Sequence, residues 1–395
     1  MIQLVFVNLF RNPLRTFLTM ASVAVAIFLF CALGGVLDTL QESIKVGSET
    51  RLITRNKVSL IFPLPLSYLS RLQAVPDVKR VATSNWFGGT DPKTPREFFA
   101  QFAVDPTYFE VYRKDMQIIE ASPPQAAASV PEGADPQLAA YFLEQTACVV
   151  GEKLALKKGW KLGQTVTVAG TIYPGDWQFT IRAIYRATNK SFGEEVLLFP
   201  FRYLDQRGMG GQSAIGVYVL ELSDPSRAGA ISSEIDALFD SSAPATRTES
   251  EQAFQAGFVS MYGNLPFVLR VIGLAIVFSI LLIAANTMMT AVRERTGEFG
   301  VLKTLGFTDG AVFTMVVIEA AIITLGGGLI GALLAKFAVE GSGFNMLGFL
   351  PPMSVYWSTV VVGVGMSVVI GAVSGLVPAF QVSRRRIVDA LRRVE

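Results

Sequence analysis

The sequence predicts a membrane all-α protein of four transmembrane helices, with a large α+β extracytoplasmic domain inserted between helices 1 and 2. The chain of 395 residues is 51% hydrophobic and only 17% charged, with a mean hydropathy of +0.44. This composition is too apolar for a soluble protein. The apolar residues concentrate in four long runs that carry almost no charge. By contrast, the stretch 38–270 between the first two runs has the mixed composition of a globular domain.

Each apolar run has the length of a membrane span, for which about 20 residues are needed. We place the spans at residues 16–37, 271–292, 311–335 and 358–381. The third run is interrupted only by Glu319. The first run lacks a cleavage site of the A-x-A kind and is longer than the core of a secretory signal, so we expect it to remain as a span.

The basic residues set the orientation of the spans. Those near the span ends are Arg11, Arg15, Arg293, Arg295, Lys303, Arg384, Arg385, Arg386, Arg392 and Arg393. The stretch 337–357 contains neither Lys nor Arg. Basic residues stay on the cytoplasmic side of short loops. We therefore expect both termini, the segment 293–310 and the tail 382–395 to be cytoplasmic, and the domain 38–270 and the loop 336–357 to lie outside. The net charge of +2 gives no indication of a nucleic-acid partner.

The first 15 residues predict an amphipathic helix that ends at Pro13 and lies on the inner membrane surface. Its apolar face consists of Ile2, Val5, Phe6 and Leu9. The alternative is a simple extension of the first span.

Two apolar stripes continue the first and second spans into the outside domain. Their residues, spaced by three and four, are Leu37, Leu40 and Ile44 after the first span and Phe254, Phe258, Met261 and Leu265 before the second. This spacing predicts two stalk helices that pack on each other.

The outside domain mixes strand and helix patterns. Strands are predicted at Arg51–Phe62, Val78–Trp86 and Ala214–Leu222, and helices at Leu66–Ala74 and from Asp224 to Phe239. Two such strand–helix units predict a small α+β sandwich. The stretch 146–185 has alternating strand patterns at Gln164–Thr171 and Gln178–Tyr185, and we interpret it as a separate β-rich subdomain. The composition of Ser122–Pro136 predicts a mobile loop.

No catalytic, cofactor or metal site is expected in this chain. Histidine is absent, which excludes a Ser/His triad and every metal site that contains His. We interpret Cys31 and Cys148 as unpaired structural thiols. A short glycine cluster comprises Gly208, Gly210 and Gly211. No Lys-Ser/Thr follows it, so it is not a phosphate loop. We expect Glu194 and Glu195 to be a solvated surface pair, because neighbours on a strand point to opposite faces.

The cytoplasmic segment 293–310 is short, charged and helical in period. Its candidate coupling residues are Glu294, Arg295, Glu298, Phe299, Leu302 and Lys303. Phe299, Leu302 and Leu305 form an apolar strip that fits a groove on a cytoplasmic partner. A solvated loop is the alternative interpretation of this segment.

A resemblance to a known family adds to this interpretation. The run from Arg295 to Gly306, followed by Ile318-Glu319-Ala320, resembles the signature of the FtsX-like permease family. The ending Gly375–Ala379 also resembles that family, although Ile387-Val388-Asp389 replaces its usual Pro-x-Glu. In the outside domain, the sequence motifs Val104–Phe109 and Val149–Ala155 resemble those of the MacB-type periplasmic core domain.

The resemblance implies the permease subunit of a type VII ABC transporter in a bacterial inner membrane. Because the chain begins 15 residues before the first span, we expect the ATPase to be a separate polypeptide in two copies, which binds ATP and Mg. A second permease chain would complete a homo- or heterodimer. The implied mechanism is mechanotransmission, in which ATP-driven motion reaches the outside domain through the spans and stalks.

Several functions remain open at this point. Efflux with a periplasmic adaptor and an outer-membrane channel competes with lipoprotein or lipid extraction and with regulation of a cell-wall hydrolase. A membrane-anchored scaffold or receptor without energy coupling is the alternative from another class.

The spans also contain a carboxylate and several glycines, and both kinds of residue indicate contacts between helices. A carboxylate such as Glu319 costs about 2.5–3.5 kcal/mol inside a membrane. We expect either an ion pair with Arg293 or Arg295, or contact with water at the inner interface. Small residues allow close helix packing, within the chain or across a dimer. Those concerned are Gly326, Gly327, Gly328, Gly331, Gly371 and Gly375.

Overall fold

The computed structural model describes residues 11–45, 48, 50–123, 135–188, 192–261, 264–342 and 353–384, without the side chains of 42–45 and 258–261. The chain divides into two compact units. The membrane unit comprises residues 1–40, 264–344 and 352–395, and the domain unit comprises residues 41–263 and 345–351. Most of the predicted N-terminal amphipathic helix, the centres of the predicted loops 122–136 and 336–357 and most of the tail 382–395 lie outside the described residues.

The domain unit is entered through helix α1 (Pro13–Lys45), whose earlier part crosses the membrane unit. Its strands are β1 (Arg51–Asn56), β2 (Leu64–Pro65), β3 (Val78–Trp86), β4 (Gly89–Thr90), β5 (Ala100–Val104), β6 (Met116–Ala121), β7 (Ala147–Gly151), β8 (Thr165–Gly170), β9 (Gly175–Ala187), β10 (Val196–Pro200), β11 (Ala214–Ile215), β12 (Val217–Leu222) and β13 (Thr246–Ser250). Its helices are α2 (Tyr68–Gln73), α3 (Thr107–Val111), α4 (Ala139–Leu143), α5 (Glu152–Lys158), α6 (Phe201–Gly208), α7 (Ala228–Phe239) and α8 (Glu251–Met261).

Eleven of the described strands form one mixed sheet, with β6 paired to β9 beside the main order β13-β1-β12-β3-β5-β10-β7-β9-β8-β4. β5 and β10 are parallel, as are β7 and β9. The prediction of a separate β-rich subdomain in the stretch 146–185 is therefore wrong, because β10 joins that stretch to β5. Ala100 and Val196 are paired but lie far apart in the sequence, so a local pattern does not reveal their contact.

Local sequence explains several element boundaries. The predicted strand Arg51–Phe62 ends at Asn56, and the next residues form a loop that exposes Ile61. The predicted helix starting at Asp224 is present: the Asp224 side chain accepts a hydrogen bond from the amide of Ser226, after which one 3₁₀ turn leads into α7. Side-chain capping of this kind supplies an acceptor for an otherwise unpaired amide.

The prediction that Glu194 and Glu195 are solvated is wrong. Their exposed fractions are 9% and 7%. Lys153 pairs with Glu194 at 2.7 Å and Lys157 pairs with Glu195 at 2.8 Å. Because the two lysines are four residues apart on α5, they lie on one helix face and meet both carboxylates.

Within the described residues, the membrane unit contains four helices that are long and apolar enough to cross a membrane, which confirms the predicted number of spans. After α1 these are α9 (Leu265–Glu294), with a proline in its first turn, then α11 (Asp309–Ser342) and α12 (Trp357–Ser383). The short helix α10 (Thr296–Thr304) lies between α9 and α11. Charge-free apolar runs form helices in a membrane because every backbone hydrogen bond is then made within the segment.

The glycines of α11 and α12 allow close packing within the chain. A Cβ atom at Gly331 would clash with the backbone of Ala24 on α1, and one at Gly328 would clash with Ser367 on α12. A Cβ at Gly371 would similarly meet Thr324. The sequence left open whether these glycines pack within the chain or across a dimer. Gly328, Gly331 and Gly371 pack within the chain.

The end of α11 remote from α10 is held by a buried lysine. The Lys336 side chain, 10% exposed, pairs with Glu340 at 2.6 Å and donates to the carbonyl oxygen of Val355 at 2.9 Å. Nearby, the hydroxyl of Thr359 donates to Asp38 of α1. These contacts fasten α1 and α11 to the start of α12.

Asp105, in the segment that resembles the periplasmic core domain, is a half-buried acid whose pKa is shifted. Its carboxylate accepts a hydrogen bond from the amide of Thr83 at 3.1 Å. Burial nevertheless raises the pKa of Asp105 to about 6, because a low-dielectric environment disfavours the charged form.

We expect this carboxyl group to make the domain less stable as the pH rises from about 4 to about 6, because the folded state then holds a proton that the unfolded state has lost. A difference of about two pKa units corresponds to about 3 kcal/mol at most. Asp105→Asn keeps the acceptor for Thr83 and should remove this pH dependence. Tryptophan fluorescence during denaturant unfolding at pH 4.5 and pH 7 measures it, and equal pH slopes in the variant and the wild type would contradict the assignment.

Candidate functional site

The segment between the second and third spans forms α10, a helix of nine residues. It ends at Thr304 and is followed by Gly306, whose φ of +95° is favourable only for glycine. The amide of Gly306 donates to the carbonyl of Lys303, and the amide of Phe307 donates to that of Leu302. This pair of hydrogen bonds is a Schellman motif, which terminates a helix sharply. The predicted helical period is thus present, and the chain turns directly into α11.

Arg295 lies at the junction of α9 and α10 and bonds to carboxylates on both sides. One guanidinium nitrogen, Nη1, is 2.9 Å and 3.1 Å from the two carboxylate oxygens of Glu319 on α11. Its Nε is 3.3 Å from Glu298 on α10, and the guanidinium lies 5.4 Å from the ring centre of Phe299. The side chains of Arg295 and Glu319 are 15% and 11% exposed. Of the two partners considered from sequence, the structure therefore pairs Glu319 with Arg295.

Two further ion pairs connect the same region to the start of the first span. Arg11 pairs with Glu298 at 2.7 Å, and Arg15 pairs with Glu294 at 2.5 Å. Arg15 belongs to α1, Glu294 ends α9 and Glu298 lies on α10. The first span is thus connected by charge to the second span and to the short helix.

These charged residues line a cavity of about 200 Å³ in the membrane unit. Its charged walls comprise Arg11, Arg15, Glu294, Arg295, Glu298 and Glu319. Three basic and three acidic side chains line the cavity, so their formal charges sum to zero. The charges are paired around a polar space, which lowers the cost of keeping them near the membrane.

Lys303 fastens the other end of α10. Its ammonium donates to the carbonyl oxygen of Ser383 at the end of α12 and pairs with Asp309 at the start of α11, both at 2.7 Å. Through Arg295, Glu298 and Lys303, α10 and its junction with α9 are bonded to α11, to the end of α12 and to Arg11 just before α1.

The apolar residues of α10 face in two directions. Phe299 is only 3% exposed and packs with Val292 and Val316, inside the chain. The prediction that Phe299 enters the groove of a partner therefore does not fit the structure. Phe299 lies in the core of the membrane unit. Leu302 is half-buried, whereas Val301 and Leu305 are 49% and 72% exposed. The open apolar surface of α10 is Val301 with Leu305.

The stalk residues are only partly described. In the membrane unit Leu40 is buried, and Leu37 and Leu265 are half-buried. In the domain unit Phe254 packs against the core that contains Tyr112. The side chains of Ile44, Phe258 and Met261 lie outside the described residues. Mutual packing of the two stalk helices therefore stays a prediction.

Sequence reasoning did not assign Arg11 and Arg15 to this site, since it used them only to orient the chain. A signal was available. Arg11 and Arg15 are four residues apart, as are Glu294 and Glu298, and in a continuous helix this spacing would place each pair on one face. Two such faces of opposite charge at the same membrane depth favour pairing.

The described residues contain no group of three or more Cys, Asp or Glu side chains arranged to hold a metal ion. The site is a network of ion pairs, and these pairs hold the helices in position relative to one another.

We expect Arg295→Leu to destabilise the membrane unit by about 3–5 kcal/mol, because it leaves Glu319 buried without its partner. The exposed neighbour Arg293 provides the matched control, and Arg293→Leu should change stability by less than about 0.5 kcal/mol. Denaturant unfolding of the purified protein in detergent measures both. The double variant Arg295→Leu/Glu319→Leu should be more stable than Arg295→Leu alone, and additive losses would rule out the pair.

Two family models match the sequence. The model of the MacB-like periplasmic core domain matches residues 16–238, which is more than half of the chain, and that of the FtsX-like permease C-terminal region matches residues 270–387. The second match includes α10 and the Arg295–Glu319 pair.

Two curated relatives resemble a shorter part of the chain. The uncharacterized ABC transporter permease YknZ of Bacillus subtilis (strain 168) is 34% identical over 109 residues, covering 27% of this chain and 26% of YknZ. The macrolide export ATP-binding/permease protein MacB of Campylobacter fetus subsp. fetus (strain 82-40) is 36% identical over 108 residues, covering 27% of this chain and 16% of MacB. The alignments thus span about a quarter of YknZ and about a sixth of MacB.

Among solved structures, the periplasmic region of MacB from Actinobacillus actinomycetemcomitans aligns with 55% of this chain and 97% of its own, at 13% identity and a TM-score of 0.37. The family assignment depends on the two sequence models, which together cover both the domain and the last three spans. The chain belongs to the family of MacB-like and FtsX-like ABC transporter permeases.

Proposed function

We propose that this permease couples ATP hydrolysis by a separate ATPase subunit to a conformational change of its extracytoplasmic domain, by mechanotransmission. The single observation that carries the proposal is the pair of ion contacts between the start of the first span and the segment around α10: Arg11 pairs with Glu298 of α10, and Arg15 of α1 pairs with Glu294 at the end of α9. The first span belongs to α1, the helix that continues to Lys45 and into the domain unit.

A displacement of α10 would act on α1 through these charges. Arg15 and Glu294 are in contact at 2.5 Å, so moving Glu294 either moves α1 or breaks the pair. Since α1 is one helix of 33 residues, it transmits a tilt with little loss along its length. The Arg295–Glu319 pair adds α11 to the same moving group.

The composition of the spans favours force transmission over a channel. Each of the four helices contains a stretch of 18 residues with at most two charged side chains. A hydrophilic solute crossing between such helices would lose its hydration without new polar partners. The described charges of the membrane unit gather instead near the helix ends, at the cavity beside α10 and around Lys336.

The partner that drives this motion would be an ABC ATPase in two copies, which binds ATP and Mg. We place its docking surface on the exposed pair Val301 and Leu305 of α10, since buried apolar contacts dominate the energy of such interfaces. A second permease chain, identical or related, would complete the assembly. The exposed apolar side chains along α9, such as Phe278, would face membrane lipid or that second chain.

Export is the transport function that we favour. The relative from Campylobacter fetus is named a macrolide export protein, and a periplasmic adaptor with an outer-membrane channel would then continue the route. Extraction of a lipoprotein or lipid is the second candidate, because spans without a polar path suit a cargo that never crosses between them.

We further propose that the protein lies in a bacterial inner membrane with both termini in the cytoplasm. Support comes from the basic residues around α10 and from the basic residues Arg11 and Arg15 beside the first span. The domain unit would then lie outside.

We expect Leu305→Asp to abolish co-purification of the ATPase, because a charge in an apolar contact must be desolvated without a partner. Affinity purification from native membranes, followed by identification of the bound subunits, measures this. Leu156→Asp is the matched control: Leu156 of the domain unit is 75% exposed, compared with 72% for Leu305. Retention of the ATPase by Leu305→Asp would remove α10 as the docking element.

We expect the topology to appear in the labelling of single added cysteines. The native Cys31 and Cys148 are fully buried, and burial also raises the pKa of the Cys148 thiol, so the wild type should label poorly. In spheroplasts, an impermeant maleimide should reach Lys161→Cys in the domain unit. It should reach Thr304→Cys on α10 only after permeabilisation. Labelling of Thr304→Cys in intact spheroplasts would contradict the proposed orientation.

A further inference from the structure

The two connections of the domain unit lie side by side in its sheet. The chain leaves α1 at Lys45 and begins β1 at Arg51, and it leaves β13 at Ser250 and begins α8 at Glu251. β1 and β13 are antiparallel neighbours, and Leu52 faces Ser250 in their register. The residues immediately outside this register, Arg51 and Glu251, are therefore close in space.

These two residues are the centre of a compact polar cluster. The Nε of Arg51 is 2.7 Å from Oε2 of Glu251, and its Nη1 is 2.6 Å from Oδ2 of Asp115. The hydroxyl of Tyr112 donates to Oε1 of Glu251 at 2.8 Å. The amide of Ser48, in the connection that follows α1, donates to Oε2 of Glu251 at 2.9 Å. Glu251 thus holds the incoming connection and the outgoing connection at once.

The cluster is shielded from solvent. The Arg51 and Glu251 side chains are each 9% exposed and that of Asp115 is 17% exposed. The Arg51 guanidinium also lies over the Tyr112 ring, 4.4 Å from its centre. Burial raises the pKa of the Tyr112 hydroxyl well above its usual range, so this group remains a donor. Charged groups that are buried and bonded on several sides resist displacement, because breaking one contact leaves a buried charge unpaired.

A neighbouring ion pair shows what is particular to this cluster. Arg55 and Glu249 also join β1 to β13, at 2.9 Å, with side chains 16% and 13% exposed. This pair also contacts Asn56 and Arg247, on the same two strands. The pair therefore stabilises the sheet, whereas the Arg51 cluster also binds the connection at Ser48 and the turn before β6.

We infer that Arg51, Tyr112, Asp115 and Glu251 form a rigid joint that fixes both chain connections to the domain, so that the domain follows the two helices as one body. They are positioning residues for force transmission, and in that respect the inference rests on the proposed function. A free hinge at Ser48 would let the domain rotate when α1 tilts, and the displacement would be lost. The joint converts a tilt of α1 into a displacement of the whole sheet.

The test measures the stiffness of the joint in the full chain, without nucleotide or ATPase. Spin labels at Gln41→Cys on α1 and Gln73→Cys on α2, both exposed, report one intramolecular distance distribution in lipid nanodiscs. We expect a narrow distribution in the wild-type background. Glu251→Gln keeps the side-chain shape but weakens the bonds to Arg51, Tyr112 and Ser48, and should broaden the distribution by about twofold.

Glu249→Gln is the matched control, since it makes the same change two residues earlier, in the carboxylate of β13 that pairs with Arg55 of β1. Glu249→Gln should leave the width of the distance distribution unchanged, even if both variants lower the midpoint of unfolding equally. The width of the distribution depends on the joint, whereas the unfolding midpoint depends on the stability of the sheet. Tyr112→Phe, which removes one hydrogen bond, should give an intermediate width and serves if Glu251→Gln does not fold. Equal widths in Glu251→Gln or Tyr112→Phe and Glu249→Gln, or a broad wild-type distribution, would overturn the inference. Because no nucleotide is present, that failure is distinct from a failure of the proposed ATP coupling.

Discussion

The structure depends most directly on the ion pair between Arg295 and Glu319. A helix of nine residues such as α10 is not stable in isolation, so its position must come from tertiary contacts. Arg295 supplies them by bonding Glu319 on α11 and Glu298 on α10. With Glu298 held in this way, its second bond to Arg11 brings the chain at the start of the first span into the same network. One guanidinium therefore offsets the cost of a carboxylate within a span and orients the helix that we place against the ATPase.

Composition was sufficient for the four spans, since long charge-free runs have few alternatives in a membrane. Local patterns also placed β3 at its observed bounds and the start of the helical segment at Asp224. The sheet was harder, because the parallel pairing of β5 with β10 joins segments far apart in sequence. The burial of Glu194 and Glu195 was missed for the same reason: their partners Lys153 and Lys157 lie on α5, and no local period reveals a contact between separate elements.

At the candidate site the sequence located the helix but not its faces. Phe299, Leu302 and Leu305 form one strip by spacing, yet Phe299 is buried in the membrane unit and Leu305 is 72% exposed. Periodicity shows that a helix has an apolar side and does not show whether that side meets the same chain or a partner. For Glu319 the sequence left open an ion pair with Arg293 or Arg295 and contact with water at the inner interface. The choice of Arg295 depends on the turn between α9 and α10, which only the three-dimensional structure defines.

In the proposed mechanism, motion at α10 reaches the extracytoplasmic domain through the helices. The most direct measurement is the distance between spin labels at Thr304→Cys on α10 and Lys161→Cys in the domain unit, within the assembled complex from native membranes. The account predicts that trapping the ATPase with a non-hydrolysable ATP analogue shifts this distance by more than the width of the nucleotide-free distribution. An unchanged distance, in a complex whose ATPase demonstrably binds the analogue, would contradict mechanotransmission through this chain.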